Sequence, residues 1–154
     1  MTRIQEQIET RLPVQAAFDY VADFTNAATW DPGTETSERL DSGPVTEGSR
    51  YRLGVNIGPR VRPMEYRITV HDAPNQVVLV GTGSGVTSTD DIRFTALPSG
   101  GTRVDYRADI ELSGLMGIVQ PLFGSVFAKI GRNAAAGMRR SLDELAGRSG
   151  GPSS

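Results

Sequence analysis

The chain has 154 residues, a formal net charge of -2 and 22% charged residues. A chain of that length fits one domain and buries about two-thirds of its unfolded surface on folding. Its charge balance is neither that of a nucleic-acid binder nor that of a disordered chain, so a small molecule or a protein is the expected partner, and no nucleic acid. The absence of cysteine excludes disulfides, thiolate metal sites and a cysteine nucleophile.

The first residues, MTRIQEQIETRLPV, carry Arg3, Glu6 and Glu9 where a secretory signal needs an apolar run, and a cytoplasmic protein is expected. Residues 3–10 set Ile4 and Ile8 on one face with Glu6 between them, a first strand with one odd member. In LPVQAAFDYVADF a proline stands at a helix start, and Val14, Ala17, Phe18 and Val21 fall at spacings of three and four, one apolar stripe. Thr25 or Asn26 can cap a second, short helix that ends near Trp30, because their side-chain oxygens accept orphan backbone amides; DPG then stops it.

From residue 34 to 112 the turn clusters DSGP, NIGP, DAPN, GTGSG and LPSGG separate about six strands. Alternation is clearest in the last, where Val104, Tyr106, Ala108, Ile110 and Leu112 share one face and the intervening charged residues the other. The same split sends Tyr51, Leu53, Val55 and Ile57 inward, and likewise Met64, Tyr66, Ile68 and Val70. A curved antiparallel sheet with one covered face follows.

Its cover is the segment from about Gly114 to Ala146, with Leu115, Val119, Leu122, Val126, Ile130, Met138, Leu142 and Leu145 at mostly helical spacing. Pro121 lacks a backbone N–H, so a kink or break is expected near residues 117–121. The uncharged run Leu112–Ala128 contains Gln120, Pro121 and three glycines and falls short of the roughly 20 apolar residues of a membrane span. A single domain over residues 1–147 and a disordered tail over 148–154 complete the reading.

This order, with Asp23 and Trp30 in VADFTNAATWDPG, then EGSRYRL, then GTRVDYRADIEL before the last helix, resembles the START-like, or SRPBCC, superfamily in its polyketide cyclase/dehydratase and lipid-transport branch. The resemblance implies an α+β helix-grip fold, a seven-stranded antiparallel sheet wrapped around a long C-terminal helix, with two short helices between strands 1 and 2. It also implies a cavity between sheet and helix for an apolar or amphipathic, lipid- or polyketide-like molecule, held by a carrier or sensor. Two alternatives stay open, a cyclase/dehydratase-type enzyme using tyrosine and aspartate side chains, and a toxin-like protein-interaction component. The family has no universal catalytic motif, so no catalytic residue transfers, and no cofactor is implied. Lys129 is the only lysine among 16 basic residues, a bias of GC-rich genomes that suits an actinobacterial source.

The cavity-lining candidates are Trp30, Tyr51, Tyr66, Asp90, Tyr106, Leu122 and Val126. Trp30 has two possible uses, as a packing anchor or as a wall that stacks on a ligand. Inward tyrosines can polarise a carbonyl or move protons, or can reach water at the sheet rim. Asp90 is inward by the parity of Ile92 and Phe94, together with Ser88. Either it is a desolvated carboxylate able to act as acid or base, or a bulge at Asp90–Asp91 turns both to water. His71 is the only histidine and is read as a surface residue, and no metal site is expected. GTGSG lacks the spacing of a phosphate loop and is read as a strand end and turn.

Overall fold

The computed structural model describes residues 1–114, 117–118 and 120–149. Strand β1 (Thr2–Thr10) leads into helix α1 (Val14–Ala22), a 3-10 turn (Phe24–Asn26) and the one-turn helix α2 (Ala27–Trp30). Six strands follow: β2 (Thr34–Arg39), β3 (Arg50–Ile57), β4 (Arg60–Asp72), β5 (Gln76–Gly83), β6 (Val86–Ala96) and β7 (Thr102–Leu112). A second 3-10 turn (Gln120–Phe123) opens onto the long helix α3 (Gly124–Ser149). The sheet order is β1-β7-β6-β5-β4-β3-β2, antiparallel throughout, as the helix-grip reading requires. Every pairing from β2 to β7 joins neighbours in sequence, and only β1 crosses to the far edge. Among the described residues no helix is long and apolar enough to cross a membrane.

Period-2 alternation builds the closed half of the core. Ile92 and Phe94 of β6 and Val104 of β7 are buried under α1, whose Phe18 meets Phe94 edge-on at 5.3 Å between ring centroids. In β4 the alternation breaks. A register shift between Ile68 and Val70 opposite β5 leaves Val70 39% exposed, against its expected inward position. The same shift brings His71 half inward, its ring 5.2 Å from that of Phe18.

The helix pair is held differently from the capping pattern expected. Asn26 occupies the N-cap position of α2 but makes no side-chain cap hydrogen bond there, and Asp23 caps the 3-10 turn before it: its Oδ1 accepts from the backbone N–H of Thr25 at 3.1 Å and from the Thr25 hydroxyl at 2.7 Å. Asn26 instead donates its side-chain amide to the Tyr20 carbonyl. Ser37 of β2 ties the pair to the sheet, its Oγ accepting from the Ala28 N–H at 3.2 Å and donating to the Thr25 carbonyl at 2.7 Å.

Pro121 sits inside the second 3-10 turn, so the covering segment breaks there as expected. Gln120 pins the break to the strand ends, donating to Thr2 Oγ1 at 2.9 Å and to the Ile110 carbonyl at 2.6 Å and accepting from the Leu112 N–H at 3.2 Å. Helix α3 then approaches α2 so closely that a Cβ at Gly137 would collide with the Trp30 carbonyl oxygen. Only a glycine permits that contact. Met138 and Leu142 fill the core beyond it. Helix α3 continues through Arg148 and Ser149, past the expected start of the tail; residues 150–154, like Leu115 and Val119, lie outside the described residues.

Candidate functional site

Between the concave face of the sheet and the first half of α3 lies a cavity of about 530 Å³. Its position follows from the residues along β6 and β7. Large side chains close the core at Phe94, Ile92 and Val104; of the inward positions beyond them Tyr106 is large, but Asp90, Ser88 and Ala108 are too small to reach the helix. Leu53, Met64, Ile110 and Leu112 line the sheet side, and Phe123, Phe127 and Ile130 the helix side.

One polar cluster interrupts this apolar wall. Asp90 accepts from Ser88 Oγ at 2.7 Å through Oδ1 and from the Tyr106 hydroxyl at 2.9 Å through Oδ2. Strand β6 pairs with both neighbours in continuous register from Val86 onward, so no bulge turns Asp90 to water, and it is only 4% exposed. Tyr66 enters from β4 with its ring laid over Gly81 of β5, where a Cβ would run into the ring. Asp31, just past α2, completes the group; its carboxylate accepts from the Gly33 N–H at 2.9 Å and the Thr34 hydroxyl at 3.0 Å.

Burial dominates the electrostatics. It raises the Asp90 carboxyl to about 6, against the lowering effect of the Ser88 and Tyr106 hydrogen bonds, and the nearby charge of Asp31 raises it further. Burial also raises Asp31, opposed by its bonds from Gly33 and Thr34. The Tyr66 and Tyr106 phenols are raised well above their usual range, by burial first and then by the charges of Asp90 and Asp31. The cluster can therefore accept or return a proton near neutrality at Asp90, while both phenols stay protonated donors. Among the described residues no arginine, lysine or histidine lines the cavity, and no group of three histidine, aspartate or glutamate side chains could hold a metal ion.

A family model described as polyketide cyclase/dehydrase and lipid transport matches residues 1–150. The chain belongs to that family.

No curated protein matches the sequence. Among solved structures this member of the polyketide cyclase/dehydrase and lipid transport family is similar to a START superfamily protein from Mycobacterium smegmatis, at 13% identity and a TM-score of 0.79, covering 94% of this chain and 99% of the other. It is equally similar to the Zhui aromatase/cyclase from Streptomyces sp. R1128, at 16% identity and a TM-score of 0.79, covering 97% and 98%. It also matches about half of the di-domain ARO/CYC StfQ from the steffimycin biosynthetic pathway, at 15% identity and a TM-score of 0.68, covering 95% of this chain and 46% of that one. At these identities the likeness is one of fold.

In this family member the structure brings Tyr66, Asp90 and Tyr106 together, with Trp30 beside them. Trp30 is buried, its ring edge-on to Tyr106 at 6.4 Å and to Phe24 at 6.1 Å, so it packs the helix pair and lines the cavity at once. Its Nε1 is buried without a hydrogen-bond partner among the described residues. Two expected lining residues lie elsewhere. Tyr51 is fully buried in the core, with Phe24 of the 3-10 turn packed against it at 6.2 Å and against Tyr66 at 5.4 Å; its phenol is pushed up to about 12, by burial and then by the charge of Asp23. Leu122 is 77% exposed, because the break at Pro121 turns the apolar face by one residue and sends Phe123 inward instead. Val126 does line the cavity, from an exposed position.

Sequence reading missed Asp31, Phe123 and Phe127. Within DPG, Asp31 reads only as part of a helix stop. Phe123 and Phe127 carry an i, i+4 signal that competes with Leu122 and Val126, one position earlier.

Proposed function

We propose that this protein encloses one apolar or amphipathic small molecule, lipid- or polyketide-like, between sheet and α3, as a carrier or sensor. The observation that carries this reading is the cavity itself, about 530 Å³ of mostly hydrocarbon wall with one convergent polar cluster. That is the size and chemistry of a site that takes a small molecule by burial and orients it by a few polar contacts. The fold shared with a START superfamily protein and an aromatase/cyclase supports it. The neutral apolar fluorophore N-phenyl-1-naphthylamine should bind one to one with a blue-shifted emission, and native mass spectrometry of freshly purified protein should detect a retained small molecule. Absence of both a retained molecule and fluorophore binding would refute enclosure.

A second reading, a cyclase/dehydratase-type enzyme, is favoured by the Tyr106–Asp90 hydrogen bond at 2.9 Å. Ionised Asp90 would take a proton from a carbon between two carbonyls. The enolate carbon would then bond to a carbonyl carbon further along the same chain, whose oxygen takes the Tyr106 proton. The proton on Asp90 returns to the tyrosinate. Asp90→Asn and Tyr106→Phe should each lower turnover of a poly-carbonyl substrate by about 10²-fold or more, since each removes a proton-transfer group. Turnover within about twofold of wild type in both variants would leave the binding reading alone.

A further inference from the structure

Two adjacent aspartates on β6 meet opposite treatment. Asp91 points to the outer face, where Arg93 at 3.3 Å, Arg107 at 3.2 Å and Gln76 at 3.0 Å compensate its charge. Asp90 points into the cavity and receives, among the described residues, only the neutral hydroxyls of Ser88 and Tyr106. The second carboxylate of the wall, Asp31, receives among the described residues only the Gly33 N–H and the Thr34 hydroxyl. Other arginines pair on the protein surface away from the cavity, Arg50 with Glu65, Arg52 with Glu38 and Arg3 with Asp109.

Resting on the enclosure reading, we propose that the occupant carries a hydrogen-bond donor at its polar end, a hydroxyl or an ammonium, and that carboxylate-headed amphiphiles are rejected. The argument is one of sign and of unused capacity. An anion brought into this apolar chamber loses its water, finds no cation on the wall among the described residues, and stands beside two carboxylates. A donor group meets the reverse situation. A carboxylate offers about four lone-pair positions, and Asp90 uses one on each oxygen, so each can accept again. The apolar remainder of the molecule lies along Leu53, Met64, Ile110 and Phe127. The cavity thereby selects among amphiphiles of equal apolar length by the head group alone.

Three probes with the same ten-carbon chain test this: 1-decanol, decylamine and decanoate. Binding is read at neutral pH by calorimetry and by the emission of Trp30, the sole tryptophan and part of the wall. Decanol and decylamine should bind, and decanoate should bind at least about tenfold more weakly than either. Decanoate binding as tightly as decanol would overturn the inference while leaving enclosure standing. Failure of all three probes and of the neutral fluorophore would overturn enclosure and the inference with it. In Asp90→Asn, and separately in Asp31→Asn in case one variant does not fold, the discrimination against decanoate should shrink by at least about threefold. Unchanged discrimination in both would overturn the assignment of the selectivity to these carboxylates.

Discussion

Replacing Asp90 by asparagine removes a carboxyl whose native pKa is held at about 6 against an ordinary 3.8. Between those values the native state keeps a proton that the unfolded chain has released, so stability falls as pH rises through the window. A rise of about 2 pH units corresponds to about 3 kcal/mol of stability lost between about pH 4 and pH 6.5 on account of this one group. The asparagine side chain carries no charge and has no such dependence. It retains one carbonyl oxygen to accept from Ser88 or Tyr106, and its amide can donate to the other hydroxyl, at a pH-independent cost of about 1 kcal/mol. The variant should therefore be slightly less stable than wild type near pH 4 and more stable by about 2 kcal/mol near pH 7, a crossing of the two curves. Asp41 and Asp109, whose carboxyls are lowered by Arg39 and Arg3, titrate in both proteins, so their effects cancel in the difference. Urea unfolding of ligand-free protein at half-unit steps of pH measures it. In thermal melts the relative shift should be about 6–12 °C across the window. A wild-type-minus-variant difference that stays constant within about 0.5 kcal/mol from about pH 4 to 7 would refute the buried, uncompensated carboxylate.

Two further substitutions test the frame of the cavity. Gly137→Ala adds helix propensity but drives a Cβ into the Trp30 carbonyl oxygen, so overpacking should win. The expected net loss is about 1–3 kcal/mol in urea unfolding, with altered Trp30 emission, and a stabilised variant would show that α3 does not press on α2. Leu122→Ser, at a residue 77% exposed, should change stability by less than about 0.5 kcal/mol and leave binding of the neutral fluorophore unchanged. Phe127→Ser, on the cavity wall, should weaken that binding several-fold, and the opposite ranking would return the inward face of α3 to Leu122.

What could be read from the chain depended on whether a signal was local. Period-2 patterns at residues 50–57 and 102–112 and the turn clusters between strands are local, and they specified a meander whose neighbours pair in sequence order. The inward parity of Asp90 was equally local, but its meaning was not. Whether two consecutive aspartates form a bulge or split across the sheet depends on the partners β5 and β7, and here the pairing stays continuous, with Arg107 waiting on the outer face. The bulge that turned Val70 outward arises in the same way, from pairing rather than from composition.

The amino-acid sequence by itself determined the element order, the covered face of the sheet, the break at Pro121 and the family. Only the tertiary structure decided which apolar residues of α3 face inward, and that Asp31 joins Tyr66, Asp90 and Tyr106 around one space. A period places residues on a face within one element, whereas a cavity is what remains when several elements meet and small side chains fail to fill the gap. Its polarity is set by which charged groups find partners elsewhere, a property of the whole assembled surface.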